Sequence, residues 1–501
     1  LEPFTLTIRS LPASPATWTH TFSNSPRRGL LLALLTSIFV LATTACGTSN
    51  YQFPEYNFAG RPVPPSKLSN RVMVGYTTGN SGVLQILDAQ RDIRNNVYNA
   101  NSTFSISGYS GNNPNLILSF PDELRGYVYS NAPSYPLTII NYGTESATGA
   151  AVTFSSPSNS VTTASDFGRI LSAQEETGQV IVADAKLGTF ALNLPNVYQV
   201  AMNPGDTILL AMVRNSNSLY RVIRVNENGP TPPGAVDCEP TILPVYCVIP
   251  VPGTFDRPVA VDFAVDGSNA YVVSCGVECG GGSNGGAGIS LIPEAALQFN
   301  NAPTSFPYPA VVSTTVPIPG GATDAISDGT NLYIAGQQLQ PDGLFEGFLT
   351  TMPLNTLVPG TPTPISDGYH SKLLFADNNT LWIGSQACSN GERAKLGLNY
   401  NCLTRYDLTA QTAAVVPALL PATATTPATV PYPNSSENPL YLGSLTGICW
   451  VQGLNKVYTA YGGQIHAFKT ADGSEIDNYY ITVQGTALDV AYMDANTDEA
   501  N

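Results

Sequence analysis

The chain has 501 residues, 44 of them Gly and 40 Pro, with only 11% charged residues and a formal net charge of −15. Few of the Lys and Arg are clustered, which excludes nucleic acid as a partner, because phosphate binding needs a basic face. Turn formers mixed with Val, Thr and Tyr favour an all-β chain over a helical one, long enough for one large domain or two smaller ones.

Residues 1–26 carry no recognisable pattern. Arg27 and Arg28 then precede a short apolar run, Leu30 to Leu41, followed by the small residues Thr43, Thr44 and Ala45. The run is short for a spanning helix, which needs about 20 residues, and fits a secretory signal. Cys46 and Gly47 come next. The whole stretch resembles a bacterial lipoprotein signal, although Thr43 stands where such signals most often have Leu. The resemblance implies that Cys46 is lipidated and tethers the protein to a membrane. The absence of Asp after Cys46 implies the outer membrane of the cell envelope, on its periplasmic or surface face. Residues 46–69, with Pro54, Pro62, Pro64 and Pro65, read as an extended tether. We therefore expect a leader over 1–45, a lipidated tether over 46–69 and one domain over 70–501.

From Asn70 the chain reads as strands. Asn70–Tyr76 and Val83–Asp88 look like the second and third strands of a unit that has no first strand. Seven strand–turn–strand units follow, at Leu116–Ser130, Val161–Ala173, Tyr198–Met212, Val259–Ser274, Thr323–Gly336, Leu373–Ser385 and Gly447–Tyr461. In the best formed of them, Val259, Val261, Phe263 and Val265 alternate with Ala260, Asp262 and Ala264, which is the period of a strand. Asp266-Gly267 supplies the turn, since Gly accepts positive φ. Both faces of this hairpin are apolar or small, so both are expected to be covered. Each second strand is followed by a third and by an edge-like fourth. The Ala-, Thr- and Pro-rich stretch from Thr409 to Pro439 reads as a surface loop. Ala487–Asp494 resembles a first strand with no second, and is expected to supply the missing inner strand of the first unit. Four short strands per unit predict an all-β propeller of eight blades, with seven as the alternative count, closed by pairing of the two ends.

The segments GYVYSN at Gly126, AYVVS at Ala270 and NLYIAG at Asn331 are similar to the YVTN-type or YncE-like propeller repeat. This resemblance covers roughly Asn70 to Asp494 and implies the fold. It implies little about activity, because propellers serve as binding modules and as enzymes. Relatives include surface-layer and periplasmic proteins and, more distantly, lactonases and quinoprotein dehydrogenase subunits.

Eight Cys are present. With Cys46 assigned to lipid, short loops pair Cys238 with Cys247, Cys275 with Cys279 and Cys388 with Cys402, leaving Cys449 as a buried thiol. Local disulfides suit an exported protein. Cys275 and Cys279 lack the second pair of ligands that a zinc site needs.

The three His are His20, His370 and His466, which leaves little for a metal site or a nucleophilic triad. The GGSNG match at Gly281–Gly285 lacks the strand-then-helix context of a nucleophile elbow. Topology gives better candidates. Segments leading from one blade's outer strand to the next blade's inner strand end at one channel mouth. They carry Tyr198, Asp256, Arg257, Asp324, Asp367, Tyr369 and His370, which are expected to line one opening. His370 with Asp367 offers an acid–base pair, and the same groups also suit strand capping or channel water. The preferred reading is a lipid-anchored, extracytoplasmic binding module for a protein or glycan partner, with no cofactor and no metal called for. The alternative is a propeller enzyme, a lactonase-like hydrolase or a quinoprotein-type redox subunit, with its site at the mouth.

Overall fold

The computed structural model describes residues 61–495, apart from 97–98, 165–167, 226–230, 240–245, 283, 389–401, 418–443 and 477–479. His20 and Cys46 lie outside the described residues. Eight antiparallel sheets follow one another around a ring, which settles the blade count at eight. Six have four strands; blades 1 and 4 carry a fifth, two-residue strand at the outer edge, Asn95–Asn96 and Asp237–Cys238. Among the described residues no helix is long and apolar enough to cross a membrane.

The hairpin Pro258–Phe263 with Asn269–Ser274 shows why the sequence makes blades. Gly267 takes φ 69° at the turn, and Asp266 Oδ1 accepts the Ser268 N–H at 3.0 Å. Along the second strand the side chains alternate between two cores. Ala270 and Val272 pack with Ile208, Leu210 and Met212 of blade 4. Tyr271 and Val273 pack with Leu332 and Ile334 of blade 6. An apolar run on both faces is therefore what a sheet buried between two others requires. The strand is stable only because a neighbour covers each side.

Ring closure follows the expected route. Thr486–Tyr492 is the inner strand of blade 1 and pairs antiparallel with Arg71–Thr78, Met73 facing Ala491 and Val74 facing Val490. A buried cluster locks this seam. Asp494 accepts Arg71 Nη2 at 2.7 Å, Nε at 3.0 Å and the Arg71 backbone N–H at 2.8 Å. Arg71 Nη1 donates to Glu145 Oε1 at 3.0 Å and to the Tyr142 carbonyl at 2.7 Å, joining blade 2. Glu145 also accepts the Ser66 N–H at 2.8 Å, and Arg61 donates to the Pro121 carbonyl at 2.6 Å. The last part of the expected tether is thus held against the ring.

The Thr409–Pro439 stretch, expected as a loop, opens with the outer strand of blade 7, Thr412–Val415, paired with Leu403–Asp407. Its Ala-rich composition hides a strand that needs only one partner. The three expected disulfides are present, and Cys449 is a buried free thiol.

Candidate functional site

The inner strands begin at one face of the ring, and six of the eight carry a one-residue irregularity against the neighbouring strand. A bulge bends the strand and re-aims the extra side chain. In blade 4 Val197 faces Val213 and Gln199 faces Met212, so Tyr198 is the extra residue. Its hydroxyl donates to the Pro258 carbonyl of blade 5 at 3.3 Å. The Arg214 guanidinium lies 4.6 Å over its ring. Glu175, which in sequence reads as a solvated hairpin charge, holds Arg214 with both carboxylate oxygens. Tyr369 starts the inner strand of blade 7 and is 37% exposed. It lies in the electrostatic field of Tyr198, three blades away, and of Asp324, Glu278 and Arg214. Two tyrosines from widely separated blades therefore narrow one opening. Burial pushes the Tyr369 hydroxyl up to about 12, so it stays a neutral donor.

Behind the mouth, sheet register sets a layer of charge. Asp324 pairs with Ala335, Lys372 with Gly384 and Asp489 with Gly75. These partners occupy matching positions in the second strands that begin at Asn331, Thr380 and Arg71. The three charged groups thus stand at one height on the inner strands of blades 6, 7 and 1. Asp262 lies two residues further along the inner strand of blade 5, opposite Tyr271, and feels the charge of Asp324. Burial pushes the Asp324 carboxyl up to about 7, with the Ala325 N–H and Lys372 pulling the other way. Burial raises Asp262 well above the ordinary range, and neighbouring Asp324 raises it further. Asp489, also raised by burial, sits at about 6 while Lys372 and two backbone N–H groups lower it. Those N–H groups come from Ile117 of blade 2 at 2.7 Å and from Val490 at 3.0 Å. A Cβ on Gly447 of blade 8 would overlap the Asp489 carboxylate, so this position has to be Gly. Lys372 makes no ion pair with any described residue. Asp324 and Asp489 thus share one cation that neither binds directly. Asp262 and Asp324 are each half-buried as residues, while Asp262 Oδ2 is itself buried and meets no hydrogen-bond donor.

Beside the mouth, between blades 5 and 6, lies a cleft of about 560 Å³. Its floor is the connection Pro317–Gly321, and its walls are the disulfide-closed turn after Cys275 and the projecting tip of the Asn331–Leu339/Phe345–Pro353 hairpin. Val277 and Leu339 stand on its rim, 53% and 49% exposed. Glu278 is its one carboxyl. The Gln337 N–H and Nε2 reach the two Glu278 oxygens at 2.9 and 3.0 Å, and Gln337 Oε1 accepts the Gly368 N–H at 3.1 Å. Burial nevertheless pushes Glu278 up to about 7. The Gln337–Gly368 bond links cleft and mouth into one face, since Gly368 precedes Tyr369.

The remaining sequence candidates hold backbone together. Asp256 accepts the N–H groups of Gly282, Asn284 and Gly286 at 2.9–3.1 Å, shaping the Gly-rich run. Burial pushes its carboxyl up, but these bonds outweigh it and leave it below the ordinary value. A Cβ on Gly281 would overlap Asp256, which explains why the run is Gly-rich there. Arg257, at φ 60°, donates to the carbonyls of Asn215 and Gly280. Asp367 accepts the Gly347 N–H at 3.0 Å. His370 is fully buried, its Nε2 lying 2.7 Å from the Ser366 carbonyl, and burial lowers it to about 4. Both of these bonds of Asp367 and His370 run to backbone.

Tyr198, Asp324 and Tyr369 come together at the opening. Asp262, Lys372, Asp489, Arg214, Glu278 and Gln337 escape the sequence reading. The available signal was a charge inside an apolar inner strand, as in VDF at 261–263 and LDV at 488–490. Among the described residues no cluster of His, Cys, Asp or Glu is arranged to hold a metal.

No protein-family model matches the chain, and no curated protein matches it in sequence. Solved structures do resemble it. One is the dihydro-heme d1 dehydrogenase NirN in complex with DHE, at TM-score 0.50 and 12% identity over 89% of this chain and 83% of that one. Others are hydrazine synthase of Kuenenia stuttgartiensis, at 0.45 and 12% over 73% and 98%, and apo AztD from Citrobacter koseri, at 0.43 and 10% over 84% and 97%. At such identities the likeness carries the fold alone: the chain is a β-propeller of eight blades.

Proposed function

We propose that the protein is an exported β-propeller of the YVTN/YncE type, held at a bacterial envelope membrane by lipid on Cys46, that binds a partner on the face carrying the channel mouth. The observation that carries the binding reading is the cleft between blades 5 and 6, where exposed Val277 and Leu339 rim an apolar hollow with one carboxyl, Glu278. Such a hollow suits an apolar side chain of a partner protein, with Glu278 taking a hydrogen bond or a cation beside it. The export reading is supported by three local disulfides and by the apolar run that ends at Cys46. The test of binding is peptide display on the immobilised protein. Selected peptides should carry an apolar anchor beside a Lys or Arg, and Leu339→Glu should weaken them about tenfold or more. Selection of no peptide, or of peptides indifferent to Leu339→Glu, would overturn the reading. Lipidation is tested by Cys46→Ser, which should release the chain from the membrane fraction; continued retention argues against it.

A second reading rests on Asp262 and Asp324, neighbouring carboxyls behind the mouth whose protonated state burial favours, Asp324 being raised to about 7. That state is suited to general acid chemistry in a lactonase-like hydrolase. Lactone turnover that disappears in Asp324→Asn would favour it over simple binding.

A further inference from the structure

A second hollow, of about 210 Å³, lies between blade 4 and the connection that follows the third strand of blade 5. Arg221, on the blade 4 strand Leu219–Arg224, lines it and is 7% exposed. Buried charges are normally paired, because removal from water is costly. Arg221 has no acidic partner among the described residues. Its Nη1 donates to the Ala296 carbonyl at 2.8 Å and its Nη2 to the Asn301 carbonyl at 3.0 Å. Those two carbonyls fix the guanidinium plane without neutralising it, and its other N–H groups meet no described acceptor. Burial lowers Arg221 to about 10, so it remains a cation at neutral pH, and Tyr308 is the one titratable group whose field it feels. Tyr308 lines the same hollow, and its hydroxyl is buried and meets no partner. The walls beside them are Val251, Pro252, Pro309 and Val311.

We infer that this hollow is a binding site for a small monocarboxylate with an apolar body, one carboxylate oxygen taken by Arg221 and the other by the Tyr308 hydroxyl. A guanidinium fixed in orientation and a phenolic O–H supply the donors that a carboxylate accepts. The apolar walls favour an organic acid over a strongly hydrated inorganic anion. The site faces a different pair of blades from the cleft beside the mouth, and its occupancy does not depend on that cleft's role.

The experiment is isothermal titration of the full chain with benzoate, with benzyl alcohol as the neutral counterpart and inorganic phosphate as the hydrated anion. Saturable benzoate binding at one site, with the alcohol and phosphate at least about tenfold weaker, is the expected result. Tyr308→Phe should weaken benzoate about tenfold and leave the melting temperature unchanged, because its hydroxyl has no partner in the protein. Arg221→Met should abolish binding; if that variant fails to fold, Tyr308→Phe still decides. No saturable benzoate binding up to about 10 mM, equal binding of the alcohol or of phosphate, or a Tyr308→Phe variant that binds like the parent would each overturn the assignment and leave Arg221 as a brace for the Glu294–Leu297 turn.

Discussion

The closure seam and the central channel both bury carboxylates, with opposite electrostatics. At the seam Asp494 and Glu145 flank Arg71, which reaches them at 2.7 and 3.0 Å. In the channel Asp324 and Asp489 feel a single cation, Lys372, which pairs with neither, Asp262 feels only the like charge of Asp324, and burial raises all three. A paired buried carboxylate holds chain ends together, because removing its partner strands a charge. An unpaired one weakens the fold above its pKa and is tolerated where a ligand or a proton has use for it. The seam is thus built for stability, whereas the channel keeps carboxyls at an electrostatic cost.

Three substitutions break or sharpen that contrast. Arg71→Met should cost about 3–5 kcal/mol in denaturant unfolding, because it leaves Glu145 buried without a cation and Asp494 with only Arg61, at 3.7 Å. Asp324→Asn should act oppositely. The native carboxyl keeps its proton up to about pH 7, whereas an unfolded Asp loses it near pH 4. The native state therefore binds more protons between about pH 4 and about pH 7, and stability falls as pH rises through that window and levels off above it. The variant should lose Asp324's share of this slope, keeping that of Glu278 and Asp489, and gain about 1–2 kcal/mol at pH 8, less than the full shift implies because Asp324 is only half-buried. Lys372→Met should have the smallest effect, about 0.5 kcal/mol or less. It should move the upper end of the slope to higher pH, since the cation now lowers Asp324 and Asp489.

The seam and the channel also differ in how far the sequence reveals them. Ring closure was legible because Ala487–Asp494 is a strand whose alternation has no local partner, so the only available mate is the orphan strand at Asn70. The disulfides were legible because each joins residues a few positions apart across one loop. The bulge that turns Tyr198 inward was not legible, since one extra residue in a strand leaves the apolar pattern intact. Asp262 passed as one position in a hairpin with two covered faces, because the carboxyl that raises it, Asp324, lies on the next blade. Glu278 was hidden within a Cys-closed turn, and its Gln337 partner comes from the following blade. His370 and Asp367 drew notice as residue types, yet their burial and backbone bonds depend on packing that composition does not carry.

The most direct test of the contrast is infrared titration of the protonated carboxyl C=O stretch in the parent and in Asp324→Asn. Protonated-carboxyl intensity that persists at pH 6, falls through about pH 7 and is smaller by one group in the variant, where Glu278 and Asp262 still contribute, is the predicted result. Complete ionisation of every carboxyl by about pH 5, as ordinary carboxylates show, would contradict it.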